Sequence, residues 1–172
     1  MPSTPEPAAE PAADPSAFHL AQVNIGRWRV PSGHPDHAAS VADFMALLDP
    51  VNALADRSPG FVWRLQTEDG NATSIRPYDD PDIAINLSVW ESLEALRDFV
   101  YATRHLDVMR RRREWFTRAA EAYVALWWVP AGTIPTVDEA KRRLELVRRA
   151  GPSPAAFTFR APFPSPDAGA RV

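Results

Sequence analysis

The sequence predicts an α+β fold, in which helices pack on an antiparallel sheet built as a split β-α-β. Short runs of alternating apolar and polar residues, typical of half-buried strands, are separated by turn residues and by longer segments of helical periodicity. Their order along the chain is strand, helix, strand, strand, helix, strand, with a closing helix and strand. This order is typical of ferredoxin-like folds.

Local signals support the predicted elements. Asp49-Pro50 predicts a break in the first helix, since Asp49 can be the N-cap of a new helical segment that begins at Pro50. Ser92 is the predicted N-cap of the second helix, and Thr136 with Glu139 forms a capping box for the last one. The predicted strands span 18–28, 61–68, 83–90, 122–130 and 156–163. The predicted helices span 38–57, 93–101, 105–121 and 137–151.

The folded domain is predicted to span residues 18–163, between two loose tails. The first 17 residues hold five prolines and three acids, but no aliphatic side chain larger than alanine apart from Met1. Such a segment cannot bury enough apolar surface to offset its ordering entropy, so we expect it to be disordered. Residues 164–172 are the second predicted tail.

The charge balance argues against a nucleic-acid partner. The N-terminal tail holds three of the 22 acidic residues, which leaves 19 acids against 19 lysines and arginines in the rest of the chain. Phosphate binding needs a clustered surplus of cations, so no nucleic-acid partner is predicted. The chain contains no cysteine, which excludes disulfides and thiolate chemistry. Neither a signal peptide nor a membrane span is predicted, and we expect a cytoplasmic location.

One face of the predicted sheet is rich in polar groups. Side chains alternate between the faces of a strand, so Ile85 and Leu87 lie on a face suited to helix packing. The opposite face carries six candidate substrate-binding residues, which are Gln22, Asn24, Arg64, Asn86, Ser88 and Trp90. Such a face is either exposed to solvent, as in many antiparallel sheets, or lines a ligand cavity. An open sheet that leaves one face uncovered predicts a homodimer.

Four consecutive arginines, Arg110 to Arg113, follow His105 on the third predicted helix. At 100° per residue, His105 and Arg112 fall in the middle of an apolar stripe that also contains Trp115 and Phe116, whereas Arg110 lies on the opposite side. A buried arginine needs a partner. For Arg112 this partner is either a protein carboxylate, such as Glu91 or Asp98, or a ligand's carboxylate, phenolate or carbonyl oxygen.

Other chemical motifs have little support. His34 and His37 could ligate a metal, but no third ligand is evident, so no metal site is predicted. The chain contains no Gly-rich phosphate loop, no Gly-x-Ser-x-Gly elbow and no His-Glu-x-x-His motif. Nucleotide binding, serine hydrolysis and zinc-protease chemistry are therefore not predicted.

Several segments resemble a domain-of-unknown-function family of the dimeric α/β-barrel superfamily. They are VNALADRSPGFVWRL, INLSVWESLEALRDFVY, RHLDVMRRRREWF, LWWVPAGTIPTVDEA and AFTF, which together cover about residues 18–163. The superfamily resembled includes antibiotic-biosynthesis monooxygenases, polyketide cyclases and haem-binding members. The resemblance to the cofactor-free monooxygenases implies that an Asn, a Trp and a His handle an aromatic substrate, with candidates in Asn24 or Asn86, Trp90 and His105.

The sequence thus favours a homodimeric enzyme that acts on a small apolar, aromatic or polyketide-like molecule. The expected chemistry is cofactor-independent oxygenation, or cyclisation or isomerisation through an enolate. His105 would be the general base and Arg112 would stabilise the oxyanion, with Trp115 and Phe116 lining the substrate site. One alternative is a non-catalytic ligand- or haem-binding protein with His105 as the axial ligand. Another is a dimeric interaction module without chemistry in a pocket.

Overall fold

The computed structural model describes residues 17–102 and 105–168, without the side chains of Ala102 and His105. The predicted N-terminal tail up to residue 16, and the last four residues of the predicted C-terminal tail, lie outside these ranges. The strands are β1 (Phe18–Arg27), β2 (Phe61–Arg64), β3 (Ile83–Trp90) and β4 (Val124–Pro130). The helices are α1 (His37–Ala55), α2 (Leu93–Ala102), α3 (His105–Trp115) and α4 (Val137–Ala150).

The four strands form one antiparallel sheet in the order β2-β3-β1-β4. This order, with helices between β1 and β2 and between β3 and β4, confirms the predicted ferredoxin-like α+β fold. In the β1–β3 register, Gln22 lies opposite Ser88 and Asn24 lies opposite Asn86. Since directly opposed residues point to the same face, the register places these four polar side chains on one side of the sheet.

Two of the helix starts follow the predicted capping chemistry. The hydroxyl of Ser92 accepts a hydrogen bond from the backbone N–H of Ala95 at 3.0 Å, just before α2. The hydroxyl of Thr136 accepts one from the backbone N–H of Glu139 at 3.1 Å, at the start of α4. Each bond satisfies an amide that has no partner within its own helix, so Ser92 and Thr136 are confirmed as N-caps. The Glu139 carboxylate accepts from Arg143 at 3.1 Å, so only the Thr136 half of the predicted capping box is confirmed.

Helices cover both faces of the sheet within one chain, which corrects the prediction of an uncovered face. Helix α4 buries Ala140, Leu144 and Val147 against the apolar face, where Leu87 and Trp127 are fully buried. Helices α1, α2 and α3 lie over the polar face. Because α4 covers the apolar face, burial of this face does not require a second copy. The predicted homodimer stays a prediction.

A β-bulge in β2 interrupts the strict alternation of side chains, which predicts Phe61 and Trp63 on the same face of the sheet. Phe61 and Trp63 pair with the neighbouring residues Trp90 and Val89, with a register shift between them. One extra residue therefore separates them, and their side chains lie on opposite faces instead of the same one. Phe61 contacts Trp90 edge-on at 5.2 Å between ring centroids, while Trp63 packs on the α4 side.

Helix α1 runs without a break from His37 to Ala55, so the interruption predicted at Pro50 is wrong. The helix is 19 residues long, with a mean hydropathy of 1.2, and is long and apolar enough by length and composition to cross a membrane. This corrects the expectation that no segment meets that test. Some of its apolar side chains have partners within the fold, since Phe44 packs on α3 and Val51 packs on α2 and the sheet, but only 11% of the segment is buried. The predicted cytoplasmic location stays a prediction.

Helix α3 ends at Trp115 and not at Glu121, as the sequence pattern had predicted. Phe116 leaves the helix and forms an isolated β-bridge with Trp28, and the two rings stack with their centroids 4.6 Å apart. Gly26 permits this approach, because a Cβ atom at that position would lie 2.6 Å from Cδ1 of Phe116. Tertiary packing of Phe116 therefore ends the helix where local periodicity would continue it.

The predicted last strand, 156–163, is wrong. Phe157 exchanges two backbone hydrogen bonds of 2.8 Å with Leu126, but this is an isolated bridge at the edge of the sheet. The chain then turns between Thr158 and Ala161, and the carbonyl of Phe163 accepts a hydrogen bond from the indole of Trp128 at 2.9 Å. Pro162 lacks the N–H that a continuing ladder would need.

Candidate functional site

A cavity of about 590 Å³ lies between the polar face of the sheet and helices α1, α2 and α3. Its walls are mostly apolar, with Phe44 and Leu48 from α1, Leu96 and Phe99 from α2, and Val108 from α3. Nine of the ten residues proposed from the sequence line it, namely Gln22, Asn24, Arg64, Asn86, Ser88, Trp90, Arg112, Trp115 and Phe116. An apolar cavity with a few convergent polar groups has the composition of a small-molecule site.

Three of these residues form a buried chain of hydrogen bonds. The indole N–H of Trp90 donates to Oγ of Ser88 at 3.0 Å, and this hydroxyl donates to Oε1 of Gln22, also at 3.0 Å. The chain crosses from β3 to β1 because Gln22 and Ser88 are opposed in the register. Within the protein, the hydroxyl of Ser88 and the indole N–H of Trp90 are already hydrogen-bonded.

The two asparagines lie one register pair further along the sheet. Asn24 is half-buried and Asn86 is exposed, so the cavity opens to solvent on this side. Neither side-chain amide has a hydrogen-bond partner among the described residues. Each amide offers two N–H donors and one carbonyl acceptor, so the pair can orient a polar group at the entrance.

Arg112 brings a positive charge into the cavity. One guanidinium nitrogen, Nη2, donates to the backbone carbonyl of Ile25 at 2.7 Å. The guanidinium carbon also lies over two aromatic rings, 5.0 Å from the centroid of Phe116 and 4.6 Å from that of Tyr123. These contacts hold the side chain in place without neutralising its charge.

No carboxylate forms an ion pair with Arg112 in the part of the chain that the structure describes, and this includes Glu91 and Asp98. Burial lowers the pKa of Arg112, and the Tyr123 side chain opposes this shift. The group still stays protonated near neutral pH, because arginine starts so far above it. Most of its N–H donors therefore remain available to a ligand in a site of low polarity.

The other arginines of the run behave as an ordinary helix surface. The side chain of Arg110 is 70% exposed and lies 3.5 Å from the carboxylate of Asp107. Arg111 forms two hydrogen bonds with Glu114, at 2.9 and 2.7 Å. The opposite orientation of Arg110 and Arg112 agrees with the predicted helix phase.

Two of the proposed site residues are engaged in structural contacts. Arg64 forms two hydrogen bonds with the carboxylate of Asp56, at 2.8 and 3.1 Å, and a third with the carbonyl of Gly70 at 2.7 Å. Trp115 donates from its indole nitrogen to the carboxylate of Asp43 at 2.7 Å, which ties α3 to α1. These polar groups build the cavity wall and are less available to a ligand than Arg112.

The side chain of His105, the proposed base, lies outside the described residues. Its backbone starts α3, two helical turns before Arg112. No histidine is among the described residues that line the cavity, so ligation of haem by a histidine would depend on His105. His37 contacts the carbonyl of Val30 at 2.7 Å, and no group of three potential metal ligands occurs among the described side chains.

Residues 19–171 match the model of a protein family described as "Domain of unknown function (DUF3291)". The chain belongs to this family. No curated protein matches it in sequence. This agrees with the resemblance seen in the sequence, which pointed to a family of unknown function.

The DUF3291 chain is also similar to solved structures of low sequence identity. A conserved protein from Methanosarcina mazei Go1 is 11% identical, with a TM-score of 0.44, over 66% of this chain and 93% of that one. SnoaB, a cofactor-independent oxygenase from Streptomyces nogalater, is 20% identical, with a TM-score of 0.43, over 70% and 100%. Rv0793 from Mycobacterium tuberculosis is 15% identical, with a TM-score of 0.43, over 69% and 99%. Because these TM-scores lie below 0.5, the similarities do not indicate a function, which has to be inferred from the chain's own residues.

Sequence reasoning missed several cavity residues of this DUF3291 protein. Phe61 enters the cavity only because of the bulge in β2, which strict alternation does not predict. Tyr123 precedes β4 and was assigned to a strand, yet its ring lies against Arg112. Phe44 could have been suspected from its position on an apolar helix, but nothing local indicates which side of α1 faces the cavity.

Proposed function

We propose that this protein binds a small, largely apolar aromatic molecule in the cavity and converts it through an enolate, without a resident cofactor. The observation that carries the proposal is the guanidinium of Arg112, which lies in an apolar cavity without a carboxylate partner among the described residues. A cation in such a place favours a ligand oxygen that is negative or becomes negative during the reaction.

The physical argument starts from the surroundings of Arg112. The aromatic rings of Phe116 and Tyr123 lie against the half-buried guanidinium and reduce its contact with water, and a charge interaction is stronger where less water is present. The hydrogen bond to the carbonyl of Ile25 fixes the side chain before a ligand arrives. A preorganised donor of this kind stabilises a developing oxyanion without the cost of reorganising solvent.

The polar groups on the sheet would position the same ligand. The amides of Asn24 and Asn86 lie opposite each other near the opening, and the amide of Gln22 lies deeper in the cavity. The rings of Trp90 and Phe99 stack with their centroids 5.0 Å apart and form part of an aromatic cavity wall, which would favour an aromatic ligand. A flat molecule with peripheral oxygens matches this combination of groups.

The proposed reaction begins with removal of a proton from a carbon next to a carbonyl group. His105 is the proposed base, since an imidazole has a pKa near working pH. The electron pair of the broken C–H bond moves onto the carbonyl oxygen, and Arg112 stabilises the resulting enolate. The enolate can then close a ring, rearrange, or react with dioxygen, which would act as the co-substrate and oxidant.

Anthrone, an enolisable aromatic ketone, provides a test. Binding is measured by quenching of tryptophan fluorescence, and enolate formation by exchange of the methylene protons in D₂O, followed by NMR. We expect the protein to accelerate the exchange over the buffer rate, Arg112→Met to lose most of this acceleration, and Arg110→Met to keep it. Binding without faster exchange would favour the non-catalytic alternative, and absence of binding would overturn the proposal.

A further inference from the structure

The hydrogen-bond chain from Trp90 to Gln22 has a fixed direction at its start. An indole nitrogen can only donate, so Oγ of Ser88 must accept from Trp90. The single hydrogen of that hydroxyl remains, and it points to Oε1 of Gln22. All three side chains are at most 6% exposed, so solvent has little access to replace any of these partners.

The opposite orientation of the Gln22 amide is unfavourable for the same reason. If the amide were rotated, its NH₂ group would donate to Ser88, and this hydroxyl would accept two hydrogen bonds. Its own hydrogen would then have no acceptor among the described residues, in a side chain that is only 6% exposed. A buried donor without a partner is costly, so the amide keeps its carbonyl toward Ser88.

The remaining end of the amide faces the cavity. Nε2 of Gln22 has no acceptor among the described residues. Nε1 of Trp127 is also unpaired but fully buried, whereas Nε2 of Gln22 is accessible from the cavity. It therefore presents donors only. Arg112 of α3 also presents donors only. It is bonded to the carbonyl of Ile25, which lies three residues after Gln22 on β1.

We infer that Ser88 is a positioning residue, which holds the amide of Gln22 so that its N–H groups select a ligand with an acceptor oxygen. The inference rests on the proposed binding of a small molecule in this cavity and narrows its class. The ligand carries a carbonyl or anionic oxygen at Gln22 in addition to the oxygen at Arg112. A ligand with an amino group next to the Gln22 amide is disfavoured, because two hydrogen-bond donors would face each other.

The inference predicts a preference between two molecules of nearly the same shape, 1-tetralone and tetralin, of which only the first has an acceptor oxygen. We expect the wild-type protein to bind 1-tetralone at least tenfold more tightly than tetralin. Gln22→Glu replaces the donor by acceptors and should abolish the preference while tetralin still binds. Gln22→Met, which removes the amide without adding charge, should give the same loss and serves if the glutamate variant is unstable.

Ser88 is tested through the same preference and one spectroscopic signal. Ser88→Ala should reduce the preference for 1-tetralone and shift the indole ¹H–¹⁵N resonance of Trp90, since its hydrogen-bond acceptor is lost. Ser88→Thr keeps the hydroxyl and should restore both. A purely structural role for Ser88 would weaken both ligands equally and leave their ratio unchanged, which would overturn the inference.

The outcomes separate this inference from the proposed function. If the Gln22 variants leave the preference unchanged, either because both ligands bind equally or because Arg112 alone holds the carbonyl oxygen, the cavity binds small molecules but the selection by Gln22 is wrong. If neither ligand binds, both the selection and the proposed cavity binding are wrong.

Discussion

The guanidinium of Arg112 donates to the backbone carbonyl of Ile25 at 2.7 Å, and none of the described carboxylates forms an ion pair with it. A side chain that balanced a buried acid would leave that acid unpaired when replaced, at a cost of about 3–5 kcal/mol. Since the described contacts of Arg112 are a carbonyl and two aromatic rings, its replacement should affect binding far more than stability.

Arg112→Met should therefore lower the free energy of unfolding by no more than about 2 kcal/mol, roughly the net value of one hydrogen bond made by a charged group. Arg110→Met, on the exposed side of the same helix, should change it by less than about 0.5 kcal/mol. Urea unfolding of both variants measures this. A loss of several kcal/mol for Arg112→Met would indicate a buried anionic partner and would remove the main support for an oxyanion site.

Gly26→Ala should destabilise the protein, because the added Cβ would lie 2.6 Å from Cδ1 of Phe116, whose ring is held by its stacking on Trp28. Overpacking of this kind costs about 1–3 kcal/mol. Gly33→Ala is the matched control, since no other atom lies within 4 Å of a Cβ at that position. Thermal unfolding should separate the two variants, and equal melting temperatures would mean that Phe116 moves away at little cost.

Hemin should bind weakly and without a defined spectrum if the cofactor-independent function is correct. No described residue of the cavity is a histidine, so an axial histidine would have to be His105. We expect the Soret region to be the same for the wild-type protein and for His105→Ala. A sharp Soret band that this substitution abolishes would replace the proposed enzyme with the haem-binding alternative.

The predicted homodimer is measurable by light scattering at micromolar concentration, where it should give about twice the 19.1 kDa mass of the chain. Tyr101, Met109 and Tyr123 are 51%, 40% and 37% exposed and line the cavity mouth, and burial of such apolar surface favours association. A monomeric mass would refute the dimer without removing the cavity, because one chain encloses it.

The sequence by itself determined the order of β1 to α4 and the polar residues on one face of the sheet, because both depend on local regularities. Strand alternation and register place Gln22, Asn24, Asn86 and Ser88 on one face of the sheet. Helical periodicity separates Arg112 from Arg110, and the hydroxyls of Ser92 and Thr136 cap the next amides along the chain.

Only the tertiary structure decided how these residues are used, because their partners are distant in sequence. The carbonyl of Ile25 lies 87 residues from Arg112, and the amide of Gln22 lies 66 residues from the hydroxyl of Ser88. No local pattern predicts such contacts. The same holds for three further features: the packing of α4 on the apolar face, the bulge that brings Phe61 to the cavity, and the end of α3 just before Phe116. Each results from long-range packing, which overrides local preference where the core has to close.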